Sequence, residues 1–191
     1  RIASETNEFD IADVINGVCD KLVHRHPHIY GNVEVKDDLE VKKNWEKLKM
    51  MEGKNSVLDG VPNSLPAIIK SFRIQEKVRG IGFDWDNKNQ VWDKVLEEME
   101  ELKTEIKKGN HGRIESEFGD LLFSLTNYAR FINVNPEDAL ERTNKRFIKR
   151  FQIMEGLVKD DNLKLEEMSL NEMDRYWEKA KSIYLSSKLS V

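Results

Sequence analysis

A chain of 191 residues can hold one domain with a good core or two small ones, and 35% of this one is charged, with a formal net charge of −4. That balance, with an isoelectric point near 5.7, offers no global attraction to nucleic acid or to a membrane surface, and no apolar run approaches the length of a signal sequence or a membrane-spanning helix. A single cysteine, Cys19, makes no intrachain disulfide and sets a reducing cytosol as the expected compartment, while few prolines and long 3.6-residue periods argue against a sheet core.

The first segment, Arg1 to Tyr30, weakly repeats Arg130 to Phe151. Arg1-Ile2 matches Arg130-Phe131, Asp13-Val14-Ile15 matches Asp138-Ala139-Leu140, and Lys21 to Arg25 matches Arg146 to Arg150, with about four extra residues around Thr6 to Phe9. His24, His26 and His28 follow at the end of this helix; with no partner cysteine or matching cluster they are read as a helix terminus rather than a transition-metal site. Val41 to Met51 reads as a short helix and Gly53 to Pro66 as a linker, whose Val57, Leu58 and Val61 are available to dock on a neighbour.

Gly80 to Trp85 is a loop, with Asp86 or Asn87 as the N-cap of the next helix. The loop lacks both the preceding strand and the third glycine of a dinucleotide fold, and the chain has no P-loop motif. From Val91, the positions Val95, Met99, Leu102 and Ile106 form an apolar stripe, with Lys94, Glu98, Glu101 and Glu105 along its edge. Lys107 to Gly112 reads as a short loop. Ile114, Phe118, Leu121, Leu122, Leu125, Ala129 and Ile132 then form a second stripe, expected to be buried, flanked by Glu117 and Asp120. Leu121, Phe123, Leu125 and Tyr128 supply more apolar surface than one helix face needs.

Each acidic motif therefore puts two carboxylates three residues apart on one flank of a helix. Antiparallel packing of the two helices would bring four carboxylates together, where they repel and raise one another's pKa unless a cation sits among them. A hard divalent ion is the natural partner, and Mg2+ reaches such a site together with a phosphate-bearing substrate. Acidic residues at this spacing usually mark a solvated face. The apolar neighbours Phe118, Leu121, Leu122 and Phe123 weigh against that here. After Pro136, Arg146 and Arg150 share a helix face flanked by Lys145 and Lys149; alone they read as a solvated basic face, but one able to clamp phosphates. Trp177 and Lys181 lie four apart on the last helix, where a tryptophan is more often core than stacking platform.

Glu97-Glu98-Met99-Glu100-Glu101 followed by Glu117-Phe118-Gly119-Asp120 resembles the E-E-x-x-E and E-x-x-D signature of the MazG nucleoside triphosphate pyrophosphohydrolases. Gly82-Phe83-Asp84-Trp85, Asn144 to Phe151, and Trp177 with Lys181 extend the resemblance over roughly residues 71 to 185. It implies an all-α fold, a helical bundle with a four-helix core completed by dimerisation, and hence a homodimer. It further implies Mg2+-dependent hydrolysis of nucleoside triphosphates between the α and β phosphates, to monophosphate and pyrophosphate, with broad base tolerance. Glu98, Glu101, Glu117 and Asp120 fall where the family holds its Mg2+ and performs catalysis. Lys94, Glu97, Arg146, Arg150, Trp177 and Lys181 fall on nucleotide contacts, and Glu97 or Glu100 is available to orient a water.

Full-length members carry two such domains in tandem. The expected organisation is therefore a remnant of a first domain over 1–33, a linker with a short helix over 34–70, and a catalytic domain over 71–191, in a chain that starts midway through the first domain. The remnant is expected to expose Ile11, Val14, Val18 and Leu22 unless something covers them. Two other readings stand beside this one: a narrower all-α hydrolase of dUTP, dCTP or phosphoribosyl-ATP, and a nucleotide-sensing module that binds metal without turnover.

Overall fold

The computed structural model describes residues 8–37 and 56–189 without interruption, together with 5, 6, 40, 41, 44, 45 and 48. Among the described residues there are seven α-helices and no strand: α1 Ile11–Arg25, α2 Pro27–Tyr30, α3 Ala67–Gly80, α4 Lys88–Lys108, α5 His111–Phe131, α6 Pro136–Asp160 and α7 Leu170–Leu189. The all-α expectation holds. The helix expected over 41–51 lies mostly outside the described residues. Among the described residues no helix is long and apolar enough to cross a membrane.

The chain forms two compact units, residues 1–132 and 133–191, so the domain expected over 71–191 spans both. In the first unit the central element is the α4–α5 hairpin. Asn87 is the N-cap of α4, accepting the backbone N–H groups of Asn89 and Gln90, and Gly109 ends the helix in the left-handed region at φ 73°. Asn110 caps α5 at once by accepting the N–H of Arg113. The connection is thus only Gly109-Asn110. It is shorter than the loop expected over 107–112, because Lys107 and Lys108 complete the last turn of α4, where cations suit the helix dipole. So short a link forces the two helices to run antiparallel.

Burial within this hairpin is one-sided. Val91 and Val95 are buried, each contributing about 2 kcal/mol. Phe118, Leu122, Leu125 and Ile132 of the second stripe, and Met99 and Ile106 of the first, stay exposed, whereas Ser124 and Thr126 are buried. The stripes read from periodicity as buried are therefore only partly covered, because among the described residues of this unit α3 is the main further helix packed on α5 and it occupies a single side. Gln75 of α3 donates from Nε2 to the Phe123 carbonyl at 2.9 Å, tying the two helices through a buried amide. Residues 56–66 lie back along α3, with Lys77 Nζ donating to the Val57 carbonyl at 3.2 Å and Lys70 Nζ to the Asn63 carbonyl at 2.7 Å. Helix α1 begins with an Asp10–Asp13 capping box and leaves Ile11, Val14, Val18 and Leu22 exposed, as expected.

In the second unit α6 packs on α7 through buried Met154, Val158 and Ala180. The rings of Phe147 and Trp177 meet at 5.1 Å, and the Arg150 guanidinium lies over Tyr184 at 5.2 Å. The Tyr176 hydroxyl donates to Asp161, which raises its pKa, and Glu172 accepts from the N–H and hydroxyl of Ser169 at the start of α7, which lowers its own.

An ion pair fixes the loop before α4. Arg130 Nη1 donates to Asp84 Oδ2 at 2.8 Å, its Nη2 donates to the other carboxylate oxygen, and the two side chains are 7% and 19% exposed. Removing one member of so shielded a pair leaves the other charge unmatched, so Asp84→Ala is expected to cost about 3 kcal/mol in urea unfolding. Replacing both, as Asp84→Ala with Arg130→Met, should recover part of that loss.

Candidate metal centre and adjoining cavities

The antiparallel hairpin brings one carboxylate oxygen from each of Glu98, Glu101 and Glu117 within 4.8 Å of the others. Glu98 is buried, Glu117 is half-buried and Glu101 is exposed, so the cluster opens from the hairpin to solvent. Glu117 carries the electrostatic strain. Its carboxyl pKa is raised, first by desolvation and then by the charges of Glu101, Asp120, Glu98 and Glu105. Glu105 is itself matched by Lys108 at 2.6 Å.

Lys94 is the counterweight. Its Nζ lies 2.7 Å from Glu98 Oε1 and 3.0 Å from Glu97 Oε1, one turn back along α4. The bond to Glu98 holds the ammonium well above the ordinary lysine range despite desolvation. One lysine against this many carboxylates leaves net negative charge on oxygen donors, a set suited to a hard divalent cation and unsuited to soft metals.

One cavity adjoins the cluster through Glu98, and a second shares a wall with the first. The smaller, about 170 Å³, has Lys94, Glu98 and Asp120 in its polar wall, together with Ser124 and Asn127. The larger, about 440 Å³, lies between α3, the loop after it, and α5, and is lined mainly by Ile74, Val78, Phe83, Trp85 and Phe123 with Gln75 and Asn127. Trp85, Phe123 and Asn127 belong to both walls.

The residues singled out in the sequence are thus distributed unevenly. Glu98, Glu101 and Glu117 meet, while Asp120 stands one turn further along α5 on the wall of the smaller cavity. Lys94 joins them there, and Glu97 holds Lys94 from a side chain that is 56% exposed. Glu100 is paired with Lys103 at 3.0 Å and is 67% exposed, away from the cluster. Arg146, Arg150, Trp177 and Lys181 lie on α6 and α7 of the second unit, where Arg146 donates to Thr143, Arg150 covers Tyr184, Trp177 meets Phe147 and Lys181 pairs with Glu178. The histidines near α2 join no metal-binding group among the described residues, and His26 Nδ1 is 2.7 Å from the Leu22 carbonyl. Wall residues that the motifs did not flag are Ser124, Asn127 and Gln75. The first two were within reach, since Asp120, Ser124 and Asn127 continue one flank at helical spacing.

A family profile for the MazG nucleotide pyrophosphohydrolase domain matches residues 1–30 and 87–153. The chain is 42% identical over 184 residues to the nucleoside triphosphate pyrophosphohydrolase/pyrophosphatase MazG of Thermotoga maritima, a match that covers 95% of this chain and 69% of that protein. It is 34% identical over 187 residues to a nucleoside triphosphate pyrophosphohydrolase of Escherichia coli K12, covering 95% and 71%. It is 42% identical over 185 residues to the uncharacterized protein YabN of Bacillus subtilis, covering 95% of this chain and 38% of that one. With the acidic helices inside a matched segment and similarity over 95% of the chain to proteins named for this activity, the chain belongs to the MazG family of nucleotide pyrophosphohydrolases.

Proposed function

We propose that this enzyme hydrolyses nucleoside triphosphates between the α and β phosphates in a Mg2+-dependent reaction of broad base tolerance, acting as a homodimer in the cytoplasm to clear surplus or noncanonical nucleotides. The observation that carries the reading is the meeting of Glu98, Glu101 and Glu117 across the α4–α5 hairpin, with Asp120 and Lys94 on the adjoining wall. Glu98, Glu101, Glu117 and Asp120 would hold the ion. When bound, it supplies charge neutralisation for the triphosphate oxygens and for the departing pyrophosphate.

The chain's own residues do the rest. Water adds to the α phosphorus, the bond to the α–β bridging oxygen breaks, and pyrophosphate leaves with that electron pair while the water's proton passes to solvent. Lys94 holds Glu98 by an ion pair and adds positive charge where the phosphates arrive, with Glu97 steadying it. Arg146, Arg150 and Lys181 suit phosphate oxygens and Trp177 suits a base, and these four are assigned to the nucleotide on that chemistry together with the family resemblance. Residues 1–33 are the end of a first MazG-like domain, 34–70 connect it, and 71–191 form the catalytic domain; the separate match of 1–30 to the family supports that division. Dimerisation is supported by two neighbouring exposed apolar stripes, Trp92, Leu96 and Met99 on α4 and Phe118, Leu122 and Leu125 on α5.

Products formed from ATP, dCTP, dUTP and ITP test the reaction. The intact chain should give monophosphate and pyrophosphate with Mg2+, and Glu98→Gln or Asp120→Asn should lower kcat by about a hundredfold or more. Appearance of diphosphate and inorganic phosphate instead would rule out α–β cleavage. In thermal melts, Mg2+ should raise the Tm of the intact chain, because a cation relieves the repulsion on Glu117, and Glu117→Gln should diminish that rise. Sedimentation at micromolar concentration should show a dimer that Leu122→Glu dissociates; a monomeric intact chain would contradict the assembly.

A further inference from the structure

Lys94 stands on a helix edge open to solvent, with a side chain that is 33% exposed, yet its ammonium turns inward to the most buried acid of the cluster. Glu98 Oε1 lies 2.7 Å from Nζ, on a side chain that is 7% exposed. Glu97 Oε1 lies 3.0 Å from the same nitrogen, on a side chain that is 56% exposed. A lysine four residues before a glutamate is the weaker of the two orders for supporting a helix, so helix stability alone does not account for the pair. What the contact supplies is a positive charge for the acid that water reaches least.

Glu98 has a second claimant. It is one of the three carboxylates that meet across the hairpin, each offering an oxygen within 4.8 Å of the others, so the acid that holds the ammonium also belongs to the set suited to a divalent ion. Lys94, Glu98 and Asp120 line one cavity of about 170 Å³, and an ion held there by Glu98 and Asp120 would share that small space with the ammonium and be repelled by it. Glu97 provides the way out. It already touches Nζ from the solvent side, so the ammonium can leave Glu98 and keep a partner.

We propose that Lys94 is a displaceable internal counter-ion: it matches Glu98 while the centre holds no metal, and yields that carboxylate to an incoming divalent ion while staying tethered to Glu97. The inference rests on the metal-centre reading above and deepens it, because Lys94 then sets the affinity for the ion below what the carboxylates alone would give.

Binding of Mn2+ without nucleotide tests the exchange, titrated by electron paramagnetic resonance with Glu98→Gln as the blank for binding elsewhere. Lys94→Met should bind Mn2+ about tenfold more tightly than the intact chain, and Lys94→Arg, which keeps the charge, should not. Glu97→Gln should weaken binding severalfold, and that loss should shrink in the double variant with Lys94→Met, because Glu97 acts by drawing the ammonium away. Thermal melts add a second readout. Without metal, Lys94→Met should melt below the intact chain, since Glu98 has lost its partner, and saturating Mg2+ should bring the two together. Lys94→Gln, which retains a donor toward Glu98, carries the same expectations should Lys94→Met fail to fold. A lysine that merely orients Glu98 would give weaker Mn2+ binding when removed, and one that serves the phosphates alone would leave it unchanged. Either result in a folded variant overturns the exchange and leaves the metal centre standing. Absence of Mn2+ binding from both the intact chain and the lysine variants overturns both.

Discussion

Two helices joined by only Gly109-Asn110 have no freedom to separate, and that constraint governs the chemistry of the first unit. Carboxylates on the facing flanks are held together, and the pKa of Glu117 is raised first by desolvation and then by the charges of its acidic neighbours. The hairpin can hold them so because Val91 and Val95 fix the two helices from the buried side and Lys94 matches the most buried acid, Glu98. The cluster is thus built before any ligand arrives. Folding bears the electrostatic cost in advance, and a cation bound there would relieve it.

Charge is handled differently a few residues away. Around the loop before α4, Asp84 is paired with Arg130 and, at 3.6 Å, with Arg79, and Arg130 also donates to Asn127, beside the aromatic walls of the larger cavity. An acidic cavity thus stands beside a larger, mainly apolar one. The division follows from helix register: on α5, Asp120 and Asn127 stand two turns apart on the same flank, Asp120 in the wall of the smaller cavity and Asn127 in the wall that both share.

The exposed apolar residues follow from helix number. A helix hairpin with one further helix against it has too few neighbours to cover both of its faces. Phe118, Leu122 and Leu125 are left uncovered for that reason, and α1 keeps its apolar face open because α2 is too short to shield it. In the second unit α6 and α7 cover each other over Met154, Val158 and Ala180, with Phe147 against Trp177 at one end.

Local features were legible in the amino-acid order itself. Helical periodicity, the asparagines at 87, 110 and 135 and the glycine at 109 define where α4, α5 and α6 begin and where α4 ends, since caps act within a turn or two of the residues that carry them. The acidic flanks were legible for the same reason. Tertiary structure decided which apolar positions are covered, and so corrected the reading of Phe118, Leu122 and Ile132 as buried. It also decided that Gln75, on a helix without any motif, stands against the Phe123 carbonyl 48 residues away and lines a cavity. Periodicity tells which residues share a face; what that face meets depends on packing between segments distant in the chain, and no local pattern encodes it.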